Sequence, residues 1–169
     1  MRWLAFSILA YLVLGIQSGA GTFVAVGSMS AQPNLVLIAV IFVILNAPHD
    51  EALLGAVILG ALQDLVSSQP FGLFALSYGI TAVFLTQAMQ AVYRDHPVTH
   101  FVCVLFGGFV TAVVITIHGW VHPQGAAAAS AFFASAVYSA VLAPVVLWGM
   151  QRSRRFFGFQ PLRRTIRPY

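Results

Sequence analysis

Residues Ala52–Leu76 read ALLGAVILGALQDLVSSQPFGLFAL, an apolar segment that holds a single acid, Asp64. Ala52, Ala56, Gly60 and Asp64 recur at every fourth position, so on an α-helix they lie along one face. Small residues on a helix face let two helix backbones approach closely. An acid within such a segment faces protein or water, because a charge in hydrocarbon is costly. The segment therefore predicts a helix packed inside a membrane-embedded bundle.

The composition of the whole chain points to the same environment. The 169 residues are 60% hydrophobic and only 7% charged, whereas a soluble domain has about 25% charged residues. A soluble fold of this size has no interior large enough for so much apolar surface, so the solvent must be lipid. The single cysteine, Cys103, excludes an internal disulfide. The net charge of +4 comes mainly from the C-terminal tail, so it does not indicate a nucleic-acid surface.

Six apolar segments predict an all-α, polytopic fold, a six-helix transmembrane bundle. Four of the segments have about 20 or more residues, enough to cross a hydrocarbon core of about 30 Å. The second and third are shorter, but a re-entrant hairpin would leave Asp50 and Glu51 at mid-membrane depth. We therefore expect two short spans, shielded by the other helices or thinning the bilayer. The segments are Trp3–Val26, Leu35–Asn46, Ala52–Val66, Leu73–Val92, Phe101–Val121 and Ser130–Met150.

The arginines predict the orientation of these spans. With six spans, all eight basic residues lie on one side of the membrane: Arg2, Arg94, Arg152, Arg154, Arg155, Arg163, Arg164 and Arg167. The positive-inside rule then places both termini in the cytoplasm. This gives a transmembrane domain, residues 1–150, and a basic cytoplasmic tail, residues 151–169. We expect the tail to anchor the chain at anionic headgroups; docking of a cytoplasmic partner is the alternative.

Asp64 has a structural and a functional interpretation. The functional interpretations are a proton relay and a contact to a cation or ligand. A proton relay needs further acids or histidines at depth, and none is present. We therefore favour a structural acceptor of hydrogen bonds from hydroxyls or backbone N–H groups of the turn at residues 67–72, where water is scarce. Gln17, Ser18 and Thr22 are expected near the same end of the bundle and are candidate partners of Asp64.

A second pair of small residues, Gly15 and Gly19, forms a GxxxG pattern in the first segment. Such a pattern indicates close helix contact but does not say which chain supplies the neighbouring helix. For this pair and for the Ala52–Gly60 face we favour packing within the chain, and a partner helix is the alternative.

No metal, cofactor or catalytic site is predicted. His96 and His100, and likewise His118 and His122, are four residues apart, but a metal site needs three or four ligands. Covalent catalysis needs a nucleophile beside a base, and neither GxSxG nor HExxH occurs. We therefore expect a chain that is not an enzyme, with histidines that are interfacial polar residues.

Three short motifs give the chain a family resemblance. Pro33-Asn34-Leu35 opens the second segment, Gly60-x-x-x-Asp64 ends the third, and Pro70-Phe71-Gly72-Leu73-x-Ala75-Leu76 opens the fourth, which Arg94 closes. This order resembles the rod shape-determining protein MreD family. The resemblance implies a fold similar to the six-helix substrate-binding subunits of energy-coupling-factor vitamin transporters. It also implies six fold-defining positions: Pro33, Gly60, Asp64, Pro70, Gly72 and Leu73.

The resemblance further implies a non-catalytic subunit of the bacterial elongation (rod) complex in the inner membrane. Such a subunit is expected to bind the single-span protein MreC directly, and through it to work with MreB, the SEDS glycan polymerase and its transpeptidase in lateral peptidoglycan synthesis and cell-shape maintenance. The alternative is a substrate-binding subunit of a vitamin-like transporter. Its outward-facing pocket would use Asp64, Gln17, Trp120 and Tyr78, but the bundle has few polar residues.

Overall fold

The computed structural model describes residues 3–20, 32–88, 96–121 and 129–152, and these residues form helices and short connections without strands. Each predicted apolar segment contains a helix, and the bounds of the second are those predicted. Within the described residues α5 and α6 are long and apolar enough to cross a membrane, whereas α1, α2 and α4 are shorter apolar helices. The helices are α1 (Trp3–Ala20), α2 (Leu35–Asn46), α3 (His49–Val66), α4 (Leu73–Ala88), α5 (Pro97–Val121) and α6 (Ala129–Arg152).

Helix α3 begins at His49, three residues before the start that the apolar pattern predicted. Pro48 stands at the N-cap, where its missing N–H removes no helical hydrogen bond. Asp50 and Glu51 occupy the first turn, where negative groups are favourable near the positive end of the helix dipole. The first turn of the helix is thus polar, and for that reason the apolar pattern did not include it in the predicted segment.

Helix α2 is the centre of the bundle. Its residues from Val36 to Leu45 are all buried, and α2 contacts each of the other five helices. A helix that is apolar on every side must be buried on every side, and the sequence LVLIAVIFVIL meets that condition. The other five helices therefore cover this short apolar segment.

The outer helices pack most closely as two pairs, α3 with α4 and α5 with α6. At the second contact, a Cβ added to Gly108 would lie 2.6 Å from the Cβ of Ala136, so glycine is needed for this approach. The faces turned away from α2 expose large apolar side chains such as Leu4, Phe84 and Val145. An apolar exterior of this extent is suited to lipid.

Long-range contacts show which helix ends lie together. Ser135 and Ser139 of α6 bond to the chain at Gln32 and Asn34, just before α2 begins, so α6 runs in the same direction as α2. Arg152 therefore lies at the end of the bundle toward which α2 runs. The α2–α3 connection is at that same end, and so are Asp50 and Glu51 in the first turn of α3.

Candidate functional site

Asp64 links α3 to the start of α4. Its Oδ1 accepts the N–H of Phe74 at 2.9 Å, and its Oδ2 accepts the N–H of Ala75 at 3.1 Å. The first N–H groups of a helix have no partner within the helix, and Asp64 is only 4% exposed. The carboxyl group therefore caps α4 from a neighbouring helix, where water cannot satisfy these donors.

This geometry matches the predicted kind of bond, although its donors lie just after the 67–72 turn. The proposed side-chain partners are wrong for two residues. Gln17 bonds to the backbone at Pro33 and Leu35, and the Ser18 hydroxyl donates to the carbonyl of Gly15. Thr22 lies outside the described residues. Asp64 thus accepts hydrogen bonds from the backbone of the following helix.

Gly60 allows Asp64 to reach α4. A Cβ on Gly60 would lie 2.5 Å from the Cα of Ala75 and 2.7 Å from the carbonyl oxygen of Phe74. These are backbone atoms, so they cannot yield as a flexible side chain would. Ala52 and Ala56, on the same face, are fully buried. The interpretation of this small-residue face as packing within the chain is confirmed.

The turn before α4 requires a glycine. Gly72 has a φ of +103°, a conformation that residues with a Cβ rarely adopt. The Leu73 N–H approaches the Pro70 carbonyl at 3.5 Å, which closes a four-residue turn with glycine at its third position, as type II turns prefer. Leu73 is buried and Pro70 is exposed. The turn therefore places the first residues of α4 beside Asp64.

Asn34 forms a second polar junction, at the start of α2. Its Oδ1 accepts the N–H of Leu37 at 2.9 Å and so caps the helix. Its Nδ2 donates to the hydroxyl oxygen of Tyr78 at 2.8 Å, and its backbone N–H donates to Ser139 Oγ at 2.7 Å. One asparagine therefore ties α2 to both α4 and α6.

Helix α1 contributes to the same junction through Gln17. The Gln17 Oε1 accepts the N–H of Leu35 at 2.7 Å, and its Nε2 donates to the carbonyl of Pro33 at 3.1 Å. Pro33, one of the predicted fold-defining residues, is buried there. Backbone groups at the start of the central helix are therefore satisfied by the Asn34 side chain and by side chains of the surrounding helices, as burial demands.

Sequence reasoning missed the part that Asn34, Ser135 and Ser139 play. A proline followed by asparagine before an apolar run is a recognisable N-cap pattern, and it could have identified Asn34. The serines carry no such signal, because Ser139 contacts a residue 105 positions earlier in the chain.

Gly15 and Gly19 differ from the other small-residue face. Both are exposed, and none of the described residues places an atom within 4 Å of where a Cβ would lie. The preferred interpretation, packing within the chain, is therefore wrong for this pair as far as the described part of the chain extends. Among the described residues, nothing covers the GxxxG face of α1.

The residues suggested for a transporter pocket are engaged elsewhere or exposed. Gln17 and Tyr78 hold the start of α2, and Asp64 holds the start of α4. Trp120 is 81% exposed. Over residues 3–20, 32–88, 96–121 and 129–152, no three His, Cys, Asp or Glu side chains lie close enough to hold a metal ion. The polar side chains of both junctions form hydrogen bonds that hold the starts of α2 and α4 in place.

Comparison with protein families identifies the chain. The family model for the rod shape-determining protein MreD matches residues 1–154. The chain belongs to the MreD family. Both polar junctions lie within the matched region, and membership assigns this MreD-family chain a role in determining rod shape at the membrane. Comparisons with curated proteins and with solved structures give no match, so the expected likeness to vitamin-transporter subunits stays a prediction.

Proposed function

We propose that this chain is a non-catalytic membrane subunit of the bacterial elongation (rod) complex that binds MreC and supports lateral peptidoglycan synthesis. The observation that carries the proposal is the family match over residues 1–154. In this proposal the chain crosses the inner membrane six times with both termini in the cytoplasm. It acts with MreB, the SEDS glycan polymerase and its transpeptidase through MreC.

The use of polar side chains in the bundle supports a scaffold. Asp64, Asn34 and Gln17 each bond to backbone groups at a helix start. Hydroxyls within the helices bond back to carbonyls one turn earlier, as Thr81 does to Ser77. A bundle whose polar groups hold its own helices in place is suited to presenting a fixed surface. No observation favours the transporter alternative.

The proposed surface for MreC is the GxxxG face of α1. Helix α1 contacts only α2 and α3 within the described residues, and both glycines expose bare backbone. In lipid, close backbone approach provides the van der Waals contact that drives helix association. A transmembrane helix of a partner can approach α1 there more closely than at any face covered by long side chains.

The test combines a binding assay with a shape assay. Tagged MreC is used to capture the wild-type chain, a Gly15→Leu/Gly19→Leu double variant, and a Gly149→Leu control. A Cβ on Gly149 also meets no atom within 4 Å among the described residues, so the control adds a leucine at an equally open glycine on α6. We expect the double variant to lose most of its capture and to leave depleted cells rounded, while the control binds and restores rods.

The outcomes separate the surface from the function. Normal capture and normal rods with the double variant would show that MreC binds another face. If tagged MreC does not capture the wild-type chain, although this chain is expressed as well as the control variant, binding to MreC itself is refuted.

A further inference from the structure

A cavity of about 320 Å³ lies between the start of α5 and the end of α6. It is at the end of the bundle opposite the two polar junctions, because Arg152 follows it directly on α6. Neither the family role nor the proposed MreC surface involves it. The cavity is lined by Pro97, His100, Pro144, Val145, Trp148 and Gln151.

The lining changes from polar to apolar along the axis of α6. At the helix end, the Nε2 of Gln151 lies 3.1 Å from the Nε2 of His100, and His100 is only 3% exposed. At a rise of about 1.5 Å per residue, Pro144 lies about 10 Å deeper than Gln151. Pro144 and Val145 line that deeper part, and Trp148 lies between them and Gln151 on the helix. The cavity is therefore amphipathic, polar toward the bundle end and apolar toward its middle.

The cavity is accessible from the side of the bundle rather than from its interior. Val145 is 71% exposed and Trp148 is 70% exposed, so both line the cavity and also face outward. Tryptophan favours the level of the lipid headgroups, and Arg152, one turn beyond Trp148, is exposed. These features place the polar part of the cavity at headgroup depth and its apolar part among acyl chains.

We propose that this cavity binds an anionic phospholipid. One acyl chain lies against Val145 and Trp148, and the phosphate is held by Arg152 and by the side-chain amide of Gln151, which His100 positions. Charge supports this occupant: six of the eight arginines lie between Arg152 and Arg167, next to the cavity in sequence. Basic pockets between transmembrane helices on the arginine-rich side are typical of anionic headgroup sites.

Tryptophan quenching tests the proposal on the full chain in lipid nanodiscs. A Trp3→Phe/Trp120→Phe variant keeps only Trp148, and a Trp3→Phe/Trp148→Phe control keeps only Trp120. Each is reconstituted in phosphatidylcholine with a small, equal share of either brominated phosphatidylglycerol or brominated phosphatidylcholine. We expect brominated phosphatidylglycerol to quench Trp148 more strongly than brominated phosphatidylcholine, and the two lipids to quench Trp120 equally.

Two further substitutions separate headgroup from chain recognition. Arg152→Gln should reduce the preference of Trp148 for phosphatidylglycerol about fivefold, the factor that corresponds to about 1 kcal/mol per arginine. Val145→Phe should reduce quenching by filling the apolar part, whereas Val141→Phe, one turn away on the same exposed face, should not.

Equal quenching of Trp148 by the two brominated lipids would show only bulk lipid at the cavity and would overturn the proposal. Quenching that is insensitive to Val145→Phe would overturn the placement of the acyl chain.

Discussion

Replacement of Asp64 measures how much the cap on α4 contributes to stability. Asp64→Leu removes both acceptors and leaves the N–H groups of Phe74 and Ala75 without partners in a buried position. Each unsatisfied buried group costs about 1–3 kcal/mol, so the expected loss of unfolding free energy is about 2–6 kcal/mol. Asp64→Asn keeps one acceptor oxygen and should lose about half as much, about 1–3 kcal/mol.

The assay is reversible unfolding by SDS in mixed micelles, followed by tryptophan fluorescence. Asp50→Leu is the matched control, because it makes the same change on the same helix at an exposed position. Its cost should stay within about 1 kcal/mol, the contribution of a charge near a helix terminus. Equal losses for Asp64→Asn and Asp64→Leu would refute the capping role, since only the asparagine retains an acceptor.

Two more predictions use the same unfolding assay. Gly60→Ala should cost about 1–3 kcal/mol, because its Cβ would overlap the α4 backbone. Gly79→Ala is the control, because its Cβ would lie 3.4 Å from a methyl group of Val57, an ordinary van der Waals contact. Both changes share the same gain in helix propensity, so equal stabilities would contradict the close contact at Gly60. Tyr78→Phe removes the hydroxyl oxygen that accepts from Asn34 and should cost about 1–3 kcal/mol; an unchanged stability would show that this bond contributes nothing.

The order of the helices and the burial of α2 are strongly encoded in the sequence. Lipid imposes long apolar segments, and α2 is apolar on all sides, which leaves it no exposed face. Asp64 could be recognised as an acceptor because an acid in such a segment needs donors. These predictions rest on local composition and on the cost of burying polar groups. Both can be judged from the sequence around a residue without knowledge of the fold.

The sequence was less informative about which residues meet. Gln17 was expected beside Asp64 but bonds at the start of α2, because several helix starts share one end of the bundle and each needs partners. The two small-residue faces looked alike, yet Gly60 is buried and Gly15 is exposed. Close helix contact depends on the position of the neighbouring helix, and spacing along one helix does not contain that information.

The proposed role in the rod complex is tested most directly by purifying the tagged chain from its own membranes and identifying the proteins that accompany it. We expect stoichiometric recovery of MreC, a single-span protein, together with lower amounts of other elongation proteins. Recovery of an ATPase pair or of a bound small molecule, without MreC, would contradict it and would support transport.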